Sequence, residues 1–339
     1  MLETLKELCN LPGISGREDT VRNYIISKIE GFCEYSIDPL GNLICFKKGR
    51  QAAKNKVMLD AHMDEVGLIV TGIDNNGFIK FDKVGGIDSR VIIGRNVRIG
   101  ENDIPGVLGI KPIHLIEKED EDKIPKLEDM YIDIGASDRE EALKLVSLGE
   151  EIHFESDFRE FGNGFIESKA IDDRAGCAML IDIIHSDMEY DCWFSFSVQE
   201  EIGTRGAAAS AFTIAPDYAI VTETTTAADI NGAKGETRVC VCGEGGTVSF
   251  MDRATVYNHD LYLKALEIAK KNNIKAQTKT RVAGGNDAGA IHKSRGGVKT
   301  ITVSVPCRYL HSPCCVCKYE DIVSSRDLVK ALAEEFAGC

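Results

Sequence analysis

The spacing of apolar residues changes along the chain, and each change marks a different kind of structure. An apolar stripe at residues 2, 5 and 8 predicts a first helix, which ends at the Leu-Pro-Gly sequence of residues 11–13. Ser15 and Glu18 have the spacing of a capping box at the start of a second helix. Continuous apolar runs then predict two strands, over residues 43–47 and 57–61.

The segment from residue 67 to residue 164 has the pattern of a small all-β unit. Short β-type stretches are separated there by glycine and asparagine turns, as in a small barrel or sandwich. One stretch, residues 138–148, has helical spacing. The predicted strands cover residues 67–73, 78–84, 91–99 and 104–110.

From about residue 165 onward, predicted strands alternate with predicted helices, which favours a mostly parallel sheet flanked by helices. We therefore predict an α/β domain made of residues 1–66 and 165–339, with residues 67–164 inserted as a small β-barrel domain. The later elements are helices over 174–185, 260–271 and 326–336 and strands over 193–198, 218–221, 274–280 and 298–305.

The charge balance and the N-terminus exclude several classes of function. There are 54 acidic and 40 basic residues, a net charge of -14, whereas nucleic-acid binding needs a concentrated basic surface. No segment has the apolar run of a signal peptide or the ~20 apolar residues that span a bilayer. Twelve cysteines without a secretory signal predict reduced thiols and a cytoplasmic protein with no membrane partner.

Four cysteines are crowded near the C-terminus, at Cys307, Cys314, Cys315 and Cys317. A structural zinc site usually adds a second cysteine or histidine pair farther along the chain, and the sequence offers none. Packing of small thiol side chains in the core is therefore the preferred interpretation.

Ligand-type side chains follow or precede several of the predicted elements. In open α/β sheets, functional groups gather at the carboxyl ends of the strands. Any one of these residues has an ordinary explanation, such as a helix cap for Asp or a hydrogen-bonded structural role for His. As a set, however, these acids would be unfavourable to bury without a cation, because each would destabilise the fold by several kcal/mol. The residues are His62, Asp64, Asp172, Asp173, Glu200, Glu201, Glu223 and His311.

The mixture of histidine and carboxylate groups indicates which metals would bind. It suits zinc, cobalt or manganese rather than calcium or a thiolate-bound metal. Five ligands with one shared carboxylate would make a dinuclear centre. The sequence thus predicts two divalent metal ions at this edge of the sheet.

Five sequence blocks, in order, resemble the M42 aminopeptidases, a family that includes glutamyl and tetrahedral aminopeptidases. The first is His-Met-Asp-Glu-Val-Gly at residues 62–67, and the others lie at residues 170–174, 199–203, 284–289 and 308–313. Each block alone is weak evidence, but the ordered set covers nearly the whole chain. The resemblance implies a zinc-peptidase-like catalytic domain with an inserted PDZ-like barrel.

The resemblance also assigns metal ligands to matching positions. It implies that Asp172 bridges the two ions. His62 and Glu223 would complete one metal site, and Glu201 and His311 would complete the other.

The remaining implied roles concern the reaction and the assembly. Glu200 would be the general base, and Asp64 would orient His62. The implied activity is removal of N-terminal residues from short peptides. The family typically forms tetrahedral dodecamers, so the barrel domain would mediate homo-oligomerisation.

The chain departs from the family pattern in three places. Glu223 stands where the family more often has Asp. Cysteines at 314, 315 and 317 follow the His-Ser-Pro sequence, where a carboxylate is common. The threonines at 224–226 replace an apolar or His-containing continuation. These departures concern one metal ligand and the neighbouring substrate pocket.

Three other functions stay open at the level of sequence. A related metal-dependent deacylase or carboxypeptidase would share the two-metal chemistry, but the motifs match it less well. An endoglucanase-type glycosidase could use a carboxylate pair without metal, although one Trp and 7% aromatic residues argue against sugar binding. A non-catalytic assembly protein would have little reason to retain the full set of ligands and the base.

Overall fold

The computed structural model describes residues 1–119 and 123–339, which form a large mixed sheet covered by helices and a smaller closed barrel. The helices are α1 (Leu2–Asn10), α2 (Asp19–Ile29), α3 (Ser89–Ile92), α4 (Arg139–Leu145), α5 (Ile171–His185), α6 (Arg205–Ile214), α7 (His259–Lys271), α8 (Ala288–Ile291) and α9 (Tyr319–Gly338). The strands are β1 (Glu34–Ile37), β2 (Leu43–Lys47), β3 (Val57–His62), β4 (Gly67–Ile73), β5 (Ile79–Val84), β6 (Asn96–Ile99), β7 (Ile104–Gly109), β8 (Tyr131–Asp133), β9 (Glu151–Phe154), β10 (Arg159–Phe161), β11 (Phe165–Ser168), β12 (Cys192–Ser197), β13 (Tyr218–Thr226), β14 (Gly246–Val248), β15 (Ala276–Thr278), β16 (Lys299–Arg308) and β17 (Cys315–Lys318).

Four mutually parallel strands form the centre of the large sheet, in the order β12, β3, β13, β16. Every residue of β3 is buried, as expected for a strand covered on both faces. Antiparallel strands extend the sheet through β2 and β1 on one side and through β17, β11 and β10 on the other. The carboxyl ends of the four central strands consequently meet at one edge.

Two groups of helices cover this sheet. Helix α5 packs against β3 and β13 and contacts α1, α2 and α9, whereas α6 contacts β12, β3 and α8. The apolar side chains of these elements form one continuous core, which includes Leu5, Leu59, Met179, Phe194 and Leu332. The predicted α/β class is confirmed.

Strands β4 to β9 close into an antiparallel barrel in the order β4-β5-β8-β7-β6-β9. Its interior is a separate core in which Leu68, Ile79, Val97, Ile132 and Ile152 are almost fully buried. The predicted small barrel is therefore present. The chain enters the barrel directly after β3 and leaves it after β9, before α5. The barrel therefore adjoins the edge where the parallel strands end.

Three local predictions were wrong or incomplete. The predicted strand over 91–99 begins only at Asn96, because the Asp88 side chain caps the short helix α3. The predicted capping box of Ser15 and Glu18 does not form, because Glu18 is itself the N-cap residue of α2. Its Oε1 accepts from the N–H groups of Gly16 and Gln199, and the Ser15 hydroxyl donates to Asp64. Helix α6 was not predicted, and α9 begins at Tyr319 rather than at residue 326.

A buried charge network ties the N-terminal segment to the start of α5. Lys169 Nζ donates to Glu65 Oε1 at 2.7 Å and to the Leu11 carbonyl at 2.9 Å. Arg174, which is fully buried, donates from Nη1 to the Leu8 carbonyl at 2.6 Å. Lys169 and Arg174 share the Glu65 carboxylate, so backbone carbonyls of the first helix and the following turn accept from further donors of both cations.

Within the described part of the chain, no helix is both long and apolar enough to cross a membrane.

Candidate metal centre

All seven side chains that the sequence predicts for the site meet at the carboxyl edge of the sheet. His62 is the last residue of β3, and Glu223 lies near the end of β13. Glu200 and Glu201 lie directly after β12. Asp64, Asp172 and His311 come from the loop after β3, the start of α5 and the loop after β16.

The Asp172 carboxylate lies between the two histidines. Its Oδ1 is 3.3 Å from Nε2 of His62, and its Oδ2 is 3.3 Å from Nε2 of His311. Gly176 allows this approach, because a Cβ there would lie 2.1 Å from Oδ2 of Asp173 and 2.6 Å from Oγ1 of Thr222. The first turn of α5 can therefore pack tightly on β13 and present Asp172 to both imidazoles.

Each histidine also faces a second carboxylate. Nε2 of His62 is 3.4 Å from Oε1 of Glu223, and Nε2 of His311 is 3.4 Å from Oε2 of Glu201. Two ligand atoms held about 2.05 Å from a tetrahedral zinc ion lie roughly 3.3 Å apart. The spacing of all four nitrogen–oxygen pairs therefore fits two metal sites that share Asp172.

A hydrogen bond between Nδ1 and a backbone carbonyl sets the orientation of each histidine ring. Nδ1 of His62 is 3.0 Å from the backbone oxygen of Asp64, and Nδ1 of His311 is 2.9 Å from the backbone oxygen of Gly86. A carbonyl can only accept, so each Nδ1 carries a proton and each Nε2 is the nitrogen that faces the centre and would bind a metal ion there. Gly86 belongs to the loop after barrel strand β5, a contribution that the sequence did not predict.

The Asp64 carboxylate holds the turn that carries the two glutamates. It accepts from the backbone N–H groups of Glu200 and Glu201 at 3.0 and 3.1 Å and from the Ser15 hydroxyl at 2.6 Å. Its Oδ1 is also 3.5 Å from Nδ1 of His62. Gln199, at the start of this turn, has a left-handed φ of 59°, a conformation that Asp64 and its partners stabilise.

The buried carboxylates of the cluster favour the binding of cations. Burial raises the pKa of Glu201 to about 8, and burial together with Asp172 raises the pKa of Glu223 well above its usual range. Burial alone would lower the pKa of His311, but Asp172 and Glu201 outweigh it and raise this pKa to about 10. Without metal, the site keeps protons between its acids and imidazoles, and divalent cations would displace those protons.

Glu200 differs from the other acids because its carboxylate pairs with neither histidine. Its side chain lines the cleft beside Asp172 and Glu223. Burial, with repulsion from Asp287 and Glu201 among the charged neighbours, raises its pKa well above the usual range. A carboxylate in this position could take a proton from water and hold it.

Buried acids that the sequence analysis left without a role surround the centre. Asp173 forms a second possible ligand group with His62 and Glu223, and its Oδ2 has no hydrogen-bond partner among the described residues. Asp287 accepts from the Ser197 hydroxyl at 2.7 Å, and burial raises its pKa to about 6. Asp60 could have been noticed as a lone acid in an apolar strand, two residues before His62.

The cleft beside the candidate metal ligands has a polar wall. Thr224 and Thr225 from β13 line it, with Lys279 after β15 and Asn286 from the glycine-containing loop before α8. In the sequence, the threonines were notable only because they depart from the family pattern. No sequence pattern indicated Lys279, because that residue reaches the cleft through the tertiary fold.

Comparison with known proteins identifies one family across the chain. The model of the M42 glutamyl aminopeptidase family matches residues 41–328. A curated protein of Acetivibrio thermocellus is 39% identical over 337 residues, which are 98% of each chain. A lysyl aminopeptidase of Pyrococcus furiosus is 33% identical over 346 residues, covering 98% of this chain and 96% of that one.

Solved structures show the same similarity. The TET1 peptidase of Pyrococcus horikoshii, described as assembling into a tetrahedron or a large octahedral shell, superimposes with a TM-score of 0.87 at 35% identity, over 98% of this chain and 99% of that one. A Thermotoga maritima structure described as an endoglucanase gives a TM-score of 0.81 at 37% identity, over 98% and 96% of the two chains.

Proposed function

The chain belongs to the M42 family of metal-dependent aminopeptidases and is a peptide-bond hydrolase, and from this premise we propose that it removes N-terminal residues from short peptides with two metal ions bridged by Asp172. The observation that carries this proposal is the position of Asp172, with one oxygen 3.3 Å from each histidine Nε2. Zinc, cobalt and manganese suit this donor set.

We assign the ligands by proximity. His62 and Glu223 would hold one ion with Oδ1 of Asp172, and His311 and Glu201 would hold the other with Oδ2. When bound, such a pair of cations acidifies a water molecule and polarises the carbonyl of the scissile bond.

The residues of the chain then carry the proton transfers. Glu200 takes a proton from the attacking water, as its raised pKa allows, and delivers it to the nitrogen of the leaving peptide. Asp64 keeps Glu200 in place through the backbone N–H of that residue and supports the ring of His62. The free amine of the substrate would lie against the metal centre, which accounts for attack on N-terminal residues only.

We expect removal of metal to abolish hydrolysis. After treatment with 1,10-phenanthroline and dialysis, the rate on aminoacyl p-nitroanilides should fall by roughly 100-fold or more, since both carbonyl polarisation and water activation are lost. Cobalt, zinc or manganese should restore it. Activity on these substrates that survives with less than a tenth of the metal remaining would exclude the proposed mechanism.

The same preparation separates the alternatives. A metal-free glycosidase would hydrolyse a soluble β-glucan before and after chelation, and a deacylase or carboxypeptidase would cleave N-acetylated substrates in preference to free amines. The structure argues against the metal-free glycosidase, because Asp172, Glu201 and Glu223 all face imidazole nitrogens at ligand spacing and so are not free to flank a sugar bond.

We further propose that residues 1–66 and 165–339 form the catalytic domain and that residues 67–164 form a barrel domain through which the chain forms a homo-oligomer, a tetrahedral dodecamer. Exposed apolar side chains on the barrel side support this, with Ile113 78% exposed and Leu115 52% exposed. Similarity to the TET1 peptidase of Pyrococcus horikoshii, which can assemble into a tetrahedron, supports the tetrahedral form.

The oligomer has a direct test in solution. Light scattering after gel filtration should give a mass near twelve times the 37.1 kDa of one chain. The double change Ile113→Asp and Leu115→Asp should lower it, because charge would be buried at the contact. A wild-type mass equal to one chain at micromolar concentration would refute the assembly.

We also propose a cytoplasmic location, which agrees with the twelve cysteines all being free thiols.

A further inference from the structure

A second cleft adjoins the candidate metal centre, between the barrel and the loop after β16. Its volume is about 680 Å³, against about 120 Å³ for the cleft that contains Asp172 and Glu200. His311 lines both clefts, so the two spaces meet at one of the proposed metal ligands. One wall of the larger cleft is formed by α3 and the turn before β6, and the other by residues 309–312 and Cys314.

An arginine without a carboxylate partner lines this larger cleft. Arg95 Nε donates to the Val91 carbonyl at 3.2 Å, and its Nη1 donates to the Cys314 thiol at 3.6 Å. A guanidinium group has five N–H donors, and a thiol sulfur is only a weak acceptor. Among the described residues, Arg95 forms no ion pair, so its positive charge is available to a ligand in the cleft.

The other groups of the cleft do not supply the missing anion. The Asp88 carboxylate is occupied by Arg90, because it accepts from the backbone N–H, Nε and Nη2 of that residue. Burial raises the pKa of the Cys314 thiol above its usual value, although Arg95 opposes this shift. Cys314 is therefore a neutral thiol at pH 7 and leaves the neighbouring guanidinium charged and unpaired.

The cleft has the length that a short peptide needs. Cys314 follows His311 by three residues, so the Cα atoms of these two residues are at most about 11 Å apart. An extended peptide spans roughly 3.5 Å per residue, so two or three residues beyond the scissile bond cover about 7 to 10 Å. The terminal carboxylate of such a peptide would lie in the region of Arg95, and a planar guanidinium binds a carboxylate through two parallel hydrogen bonds.

We propose that Arg95 binds the C-terminal carboxylate of the leaving peptide, so that the enzyme prefers tripeptides and tetrapeptides with a free C-terminus. This inference rests on the proposed function, which places the scissile bond at the metal centre. The side chain of the N-terminal residue would occupy the smaller cleft, and the leaving peptide would extend into the larger one. The preference therefore concerns the side of the scissile bond opposite to the residue after which glutamyl and lysyl aminopeptidases are named.

The test compares peptides that differ only at the C-terminus. The metal-loaded enzyme is assayed on tripeptides and tetrapeptides that end in a free carboxylate or in an amide. All begin with the residue that is cleaved fastest as a p-nitroanilide, and glycine fills the other positions. We expect kcat/KM to favour the free acid roughly 5- to 50-fold in at least one pair, as a charged hydrogen bond at a partly exposed site would give. The net charge of -14 would by itself favour the uncharged amide.

Variants then assign the preference to Arg95. Arg95→Met should bring the acid-to-amide ratio to one or below, and Arg95→Lys should give an intermediate ratio, since it keeps the charge but loses the planar fork. Arg159→Met removes an exposed arginine of β10 that lines neither cleft and should keep the wild-type ratio. A purely structural role of Arg95 would lower both rates alike and leave the ratio unchanged. Thermal melting of each variant shows whether the fold is intact, and the wild-type ratio tests the proposal without any variant.

The outcomes separate this inference from the proposed function. A wild-type ratio of one or less at both lengths, or a ratio that Arg95→Met leaves unchanged, would overturn the inference, while hydrolysis of these free-amine peptides would uphold the aminopeptidase. An amidated tripeptide ending in glutamate that matched the free acid would assign Arg95 to acidic side chains and overturn the assignment to the terminus. No hydrolysis of any free-amine substrate would overturn the aminopeptidase itself.

Discussion

Replacement of Glu200 by glutamine is expected to lower kcat by roughly 10²- to 10⁴-fold, the usual contribution of a general acid–base group. Glutamine keeps the size of the side chain but cannot accept the proton of the attacking water. Metal binding should survive, because the Glu200 carboxylate pairs with neither His62 nor His311. The Asp64 contact should survive too, since it uses the backbone N–H of residue 200.

This expectation is checked by steady-state kinetics on an aminoacyl p-nitroanilide together with metal analysis of the same samples. Glu140→Gln, an exposed carboxylate on α4, provides a matched control with unchanged rates. If Glu200→Gln retained more than a tenth of the wild-type kcat with full metal content, another group would have to act as the base.

Replacement of Asp172 by asparagine is expected to remove both metal ions and all measurable hydrolysis. The variant loses the negative charge that both half-sites share, and one of its two carboxylate oxygens becomes an NH₂ group that cannot coordinate a metal. The imidazoles would also lose the partner that lies 3.3 Å from each Nε2. We expect less than one ion per chain and a fall in kcat/KM of roughly 10³-fold or more.

Elemental analysis after dialysis against metal-containing buffer measures the first effect, and kinetics measure the second. Asp187→Asn alters an acid just beyond the same helix whose side chain is 87% exposed, so it should bind metal normally. Two ions retained by Asp172→Asn would show that Asp172 is not the bridge. Asp173, which also lies near His62, would then be the next candidate.

The sequence was sufficient to predict which residues meet at the centre, because parallel strands impose a common direction. Once β3, β12, β13 and β16 run the same way, the polar residues after each strand reach the same edge. The barrel was predictable for a similar reason, since its short strands alternate between buried and exposed positions. The role of Glu200 is a prediction that the Glu200→Gln variant tests, and the role of Asp64 and the domain boundaries stay predictions.

The remaining parts of the site depend on contacts that no local pattern encodes. Ser15 reaches Asp64 across 49 positions in sequence, and the Gly86 carbonyl reaches His311 across 225. Lys279 enters the cleft from a strand end that does not belong to any motif. The Ser15 and Glu18 pair failed as a capping box because α2 begins after Glu18 and the Ser15 hydroxyl donates to the distant Asp64.

The contacts of the N-terminal turn around Ser15 predict how truncation would affect the protein. A fragment that begins at residue 41, where the match to the family model begins, would contain every proposed metal ligand. It would still lose the hydroxyl that supports Asp64 and the carbonyl oxygens of Leu8 and Leu11 that receive Arg174 and Lys169. Two interior cations would lose their carbonyl partners, so we expect removal of the first forty residues to destabilise the fold around the proposed site.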